Sequence, residues 1–148
     1  MNTMYVELET GQSGHIINKR DCLVDGIPVS YFSFSTEDTD LVFVESNGDI
    51  YVNQNLGTDK YPDLKDKFSD LIAFHETLEY DWLKELGLAS PRNRINSGTR
   101  RAEIAREIHL QVHYLELRAA KNMGILEKYL KIRPWEICTK EFVEKIQD

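Results

Sequence analysis

The chain of 148 residues contains only two cysteines, Cys22 and Cys138. Two thiols make no disulfide framework, so both are expected to be reduced, and the compartment expected is the cytoplasm. No apolar run approaches the ~18 residues that a membrane-spanning helix requires. The N-terminal stretch carries Glu7 and Glu9 and lacks the basic segment of a signal peptide. Basic residues are outnumbered, 18 Lys and Arg against 25 Asp and Glu. The resulting net charge of −7 speaks against a nucleic-acid partner, because neutralising phosphates takes a basic face. Internal repeats and low-complexity segments are also missing. What remains is the composition of a globular protein, 41% hydrophobic and 29% charged, at a length that supports one core.

Residues 1–56 read as β-rich. Asp25-Gly26 between Leu23-Val24 and Ile27-Pro28-Val29 is a two-residue hairpin signal, and Tyr31, Phe32 and Phe34 extend the second arm. Ser46-Asn47-Gly48-Asp49 between Leu41-Val42-Phe43-Val44 and Ile50-Tyr51-Val52 marks a second hairpin, and residues 4–8 offer a further strand. From residue 62 the pattern turns helical. Pro62 suits a first turn, Asp63 and Asp66 suit its positive end, and Gly87 stops the helix. A polar, Arg-rich loop follows over residues 89–98. Thr99 caps a second long helix that runs to Met123 and stops at Gly124. A short helix over residues 126–131 ends before Pro134, and Thr139 caps a last one through Ile146. The expectation is a single α+β domain over residues 1–148, with N-terminal antiparallel β hairpins forming a small sheet. The sheet packs on two long core helices, and a short C-terminal helix completes the fold.

The first long helix carries an apolar stripe of Phe68, Ile72, Leu83 and Leu86, widened by Leu71 and Trp82. His75 and Glu79, one turn apart, project into the middle of it. A buried carboxylate needs a partner, and a cation is the partner that also uses an imidazole. The second long helix presents Ala102, Ala105, Val112, Ala119, Ala120 and Met123 on one face, with His109 and Glu116 near its centre and His113 toward its edge. Small residues let the two helices approach closely. His75, Glu79, His109 and Glu116 are therefore expected to converge on one metal ion, with His113 in reserve. Two imidazoles and two carboxylates suit zinc, and iron or manganese as alternatives. A His–Glu hydrogen-bond network without metal would use the same residues. Arg92, Arg94 and Arg100, with Arg101 and Arg106, read either as a solvated loop and helix start or as a basic lip for an anionic group.

The run Ile72-Ala73-Phe74-His75-Glu76-Thr77-Leu78-Glu79 resembles the active-site helix of zincin metallopeptidases, whose motif is H-E-x-x-H. Val52-Asn53 ahead of it is similar to the strand preceding that helix in small zincins, including the phage-repressor-cleaving type. Glu116-Leu117-Arg118-Ala119-Ala120 fits the slot of the downstream Glu ligand of glutamate zincins. H-E-x-x-E followed by a His and a Glu seven apart is also similar to small phage and bacterial proteins of unassigned function. The likeness covers residues 41–123. Glu79 stands where the peptidase motif has its second His, and His109 is the imidazole available to replace it.

The resemblance implies a zinc-dependent hydrolase, most readily a peptidase acting on a peptide or protein. Glu76 would be the catalytic general base toward metal-activated water, and an Arg of the basic loop would assist. A catalytic zinc keeps one position open, so one of the four ligands should stand back, His109 or Glu79. The competing expectation is a non-catalytic protein-interaction module, clipped by the same cluster and serving as a phage or mobile-element accessory protein. A carboxylate-bridged di-iron or di-manganese oxidase ranks below both, because both helices lack its E-x-x-H pairs.

Overall fold

The computed structural model describes residues 4–55, 61–87, 100–132 and 139–147. Asp25 and Gly26 both take left-handed backbone, at φ 48° and 80°, as the tight hairpin predicted there requires. They join β2 (Ser13–Val24) to β3 (Ile27–Ser35), which pair antiparallel from Val24↔Ile27 to His15↔Ser35. β1 (Met4–Glu7) lies antiparallel against β2. β4 (Val42–Val44) and β5 (Ile50–Asn53) make the second predicted hairpin, with Gly48 at φ 95° in its turn.

The two hairpins join side by side, and the joint is parallel. β5 runs alongside β3, giving the order β1-β2-β3-β5-β4. Both hairpins are antiparallel, as expected, and the sheet they form together is mixed. The connecting segment is tied down by buried Asn53, whose side-chain amide donates to the carbonyls of Asp38 and Asp40, both at 3.0 Å. Asn55 adds a bond to the carbonyl of Thr36 at 2.7 Å. These bonds hold the acidic linker beside the end of β5.

Strand alternation gives the sheet two apolar faces. Val24, Val29, Tyr31, Ile50 and Val52 face the helices, whereas Phe34, Phe43 and Tyr51 join Leu8 in a separate cluster. A short 3-10 turn (Pro62–Leu64) leads into α1 (Lys65–Glu85). The eight residues from Phe68 to His75 are all buried. A helix buried on every side is central in its domain, and here the sheet and α2 (Arg100–Asn122) both pack on α1. Ala119 and Ala120 of α2 are fully buried in the same core, as the small-residue face predicted. The C-terminal half of α1 departs from expectation. Burial ends at His75, and Leu86, assigned to the core stripe, is 51% exposed. α3 (Leu126–Ile132) and α4 (Thr139–Gln147) complete the helical half and pack on α2. No helix among the described residues is long and apolar enough to cross a membrane.

Asp70 fastens α1 to the sheet. Its two carboxylate oxygens accept from Arg20 Nε at 2.7 Å and Nη2 at 3.0 Å, and the Tyr31 hydroxyl donates at 2.7 Å. Burial, together with that bond, pushes the Tyr31 hydroxyl pKa well up. At the far end of the β2–β3 ladder, Gly14 is required by contact. A Cβ there would lie 2.3 Å from the Ser35 carbonyl oxygen and 2.8 Å from the Phe34 ring. Gly14→Ala should therefore destabilise the fold by about 1–3 kcal/mol, the usual cost of overpacking. The lowered midpoint of urea unfolding is the check.

Candidate metal centre

His75 and Glu79 stand on successive turns of α1, and His109, His113 and Glu116 stand on α2. His75 meets Glu116 while Glu79 meets His109, so the two helices run antiparallel through the site. His75 is the hub, with its side chain 1% exposed. Its Nδ1 lies 2.5 Å from Glu116 Oε1. Its Nε2 lies 2.7 Å from Glu79 Oε2 and 3.3 Å from His109 Nδ1, and these two partners are 3.1 Å apart.

The two sides of the ring differ in exposure. Glu116 is completely buried, and His113 Nδ1 approaches the same Oε1 at 3.4 Å. Tyr129 donates its hydroxyl to Glu116 Oε2, and His113 Nε2 lies 3.0 Å from Thr139 Oγ1. On the other side Glu79 and His109 are 23% and 32% exposed, so the Nε2 side reaches solvent.

Electrostatics follow from this geometry. Burial alone would lower the His75 pKa, but hydrogen bonds to Glu116 and Glu79 and the charges of Glu116 and Glu76 outweigh it and raise it to about 10. Burial alone would raise the Glu79 carboxyl, but bonds from His109 and His75 and their charges bring it down to about 2. Without a metal, His75 is thus an imidazolium with a carboxylate at each nitrogen.

Two groups of His and Glu can hold a metal ion among the described residues: His75, Glu79 and His109, and His75, His113 and Glu116. The four ligands expected from sequence do meet, but around His75 and not at one point. The two nitrogens of an imidazole point away from one another, so an ion at Nε2 lies across the ring from Glu116. The Nε2 group sets Glu116 apart, and the Nδ1 group sets apart Glu79 and His109, the two residues the sequence pointed to.

The spacing of the Nε2 group suits a small divalent ion. Tetrahedral zinc with bonds of about 2.0–2.1 Å spaces its donors about 3.3 Å apart. Separations of 3.3 and 3.1 Å are close to that, while the 2.7 Å edge between His75 and Glu79 has to open slightly.

His113, held in reserve, joins Glu116 on the buried side. Glu76 is half-buried beside His75, near enough for its charge to act on that ring. Arg92 and Arg94 lie outside the described residues. Arg100 opens α2, and its side chain is not among those described. Tyr129 and Thr139 were not expected at the site. The only signal in the sequence was that a buried Tyr hydroxyl must find a partner, and Thr139 was read as a helix cap alone. No family model, curated protein or solved structure matches the chain.

The pKa shifts set a pH window for the metal-free protein. A raised histidine contributes fully below its unfolded value of 6.5, and its contribution is lost as pH rises toward 10. A lowered carboxylate contributes fully above 4.5, and its contribution is lost as pH falls toward 2. The pair therefore stabilises most between pH 4.5 and 6.5. Urea unfolding of chelator-treated protein should show this contribution fading on the alkaline side. NMR should find the His75 ring doubly protonated well above pH 6.5.

Proposed function

We propose that the protein is a metal-dependent hydrolase of zincin-like type, with His75, Glu79 and His109 holding a zinc ion. The observation that carries this reading is the triangle of His75 Nε2, Glu79 Oε2 and His109 Nδ1, with sides of 2.7, 3.1 and 3.3 Å. Three protein donors leave a fourth position, and the half-exposed pair Glu79 and His109 places it toward solvent, as a catalytic site needs. Two imidazoles and one carboxylate suit zinc, and they also accept iron or manganese. An ion there supplies Lewis acidity and acidifies water toward a pKa of about 7.

Glu76 adjoins His75 and takes the role of general base, receiving the proton of the attacking water. The substrate class is a peptide or amide, in keeping with the likeness of residues 72–79 to the peptidase helix. The same reading assigns a substrate carboxylate to Arg92, Arg94 and Arg100 on the ground of the sequence alone.

A second reading has its own observation. His75, His113 and Glu116 are all buried, and the buried Tyr129 donates its hydroxyl to Glu116. An ion on that side would have no access for substrate. It would clip α1 to α2 in a non-catalytic, protein-binding module.

Elemental analysis of protein purified without chelator separates these readings. The hydrolase reading expects one ion per chain, lost in His109→Ala and retained in His113→Ala. The reverse pattern favours the buried clip. Absence of metal from all three proteins leaves a hydrogen-bond network and removes the hydrolase. Glu76→Gln should keep the ion and lose roughly 10²–10⁴-fold in peptide hydrolysis, the usual contribution of a general base.

A further inference from the structure

We propose that Glu116 is the positioning residue of this site, holding His75 in the one tautomer that presents Nε2 to the ion, and is itself held by Tyr129 and His113. The inference rests on the reading that places the ion at Nε2.

Hydrogen-bond capacity leads to it. Glu116 is completely buried, and a buried carboxylate is tolerated only when its oxygens are satisfied. An ionised carboxylate accepts and never donates. Each neighbour must then present a hydrogen to it. Oε1 receives the Nδ1 hydrogen of His75 at 2.5 Å and that of His113 at 3.4 Å, and Oε2 receives the Tyr129 hydroxyl.

These assignments propagate outward. With its hydrogen on Nδ1, neutral His113 has only a lone pair at Nε2. Thr139 Oγ1, 3.0 Å away, must donate to it. They also propagate inward. With Nδ1–H committed to Glu116, a neutral His75 has its lone pair on Nε2, facing Glu79 and His109. With an ion at Nε2 in place of the proton that His75 otherwise donates to Glu79, every donor on the Glu116 side has its acceptor. The usual benefit of such a carboxylate is that it fixes the ring of a liganding histidine and raises its basicity.

The outer partners give Glu116 its rigidity. Tyr129 comes from α3 and Thr139 opens α4, and both are buried, at 0% and 1% exposure. The four helices among the described residues thus all brace one imidazole nitrogen. The zincin likeness put Glu116 in the place of a direct ligand, and the positioning role departs from it.

The test uses the full chain, stripped of metal and titrated with Co²⁺ as a visible stand-in for zinc. Glu116→Gln should weaken Co²⁺ binding about 10–100-fold, the usual effect of losing such a partner. The visible bands should keep their intensity, because the ligands are unchanged. His109→Ala should lose both affinity and bands. NMR of the zinc-loaded wild type should find a proton on Nδ1 of His75 and the ion on Nε2. That measurement decides the matter even if Glu116→Gln fails to fold.

Undiminished affinity in Glu116→Gln, bands that collapse in it, or zinc on Nδ1 of His75 would each overturn the positioning role. In the first case, a weakened His109→Ala leaves the metal reading standing. If His109→Ala binds Co²⁺ like the wild type, the reading beneath fails and takes this one with it.

Discussion

A buried imidazole held between two carboxylates organises the helical half of this protein. His75 is the last residue in the buried run of α1, and both of its nitrogens are committed. Opposite charges separated by hydrogen-bond distance in a low-dielectric interior are strongly coupled, and an unpaired member of such a set is costly. The helices therefore cannot slide past one another without stranding a charge. Packing of Ala119 and Ala120 brings α2 close to α1, and the His75–Glu116 and Glu79–His109 contacts set the register.

The same cluster divides labour by depth. Its buried side is saturated with donors and acceptors from α2, α3 and α4, which favours rigidity. Its other side ends in Glu79 and His109, both partly open to water. A rigid back and an accessible front are what a metal site that meets substrate requires. Asp70, five residues before the buried run ends, does the corresponding work toward the sheet through Arg20 and Tyr31. α1 is thus fastened on one side to the strands and on the other to α2. It is the element on which the candidate site is built.

Much of this was legible in the residues. Asp25-Gly26 announces its turn because two successive left-handed residues are rarely tolerated elsewhere. Pro62, Gly87 and Gly124 bracket the long helices for equally local reasons. His75, Glu79, His109 and Glu116 could be singled out because helical spacing puts them on core-facing stripes. β2 was harder. Only its end, Leu23-Val24, looks like a strand, since Asn18, Lys19 and Asp21 point outward and hide the period. The aromatic cluster on the sheet's second face was missed, because the order of strands decides which face is covered. Which side of the His75 ring each partner occupies was equally hidden. Spacing along a helix specifies a face, and the rotamer of one ring is settled only by the neighbours that converge on it. Tyr129 and Thr139 entered the site for that reason, from segments with no motif of their own.

The parallel seam between β3 and β5 bears on how this sheet assembles. Each hairpin closes through a short turn and can zip on its own, but the seam has no tight turn to start from and spans only three residue pairs, against nine for β2 and β3. Loop-closure entropy makes such non-local contacts late. The two hairpins thus meet over a short seam, and α1, laid across both, adds the contacts that keep it closed.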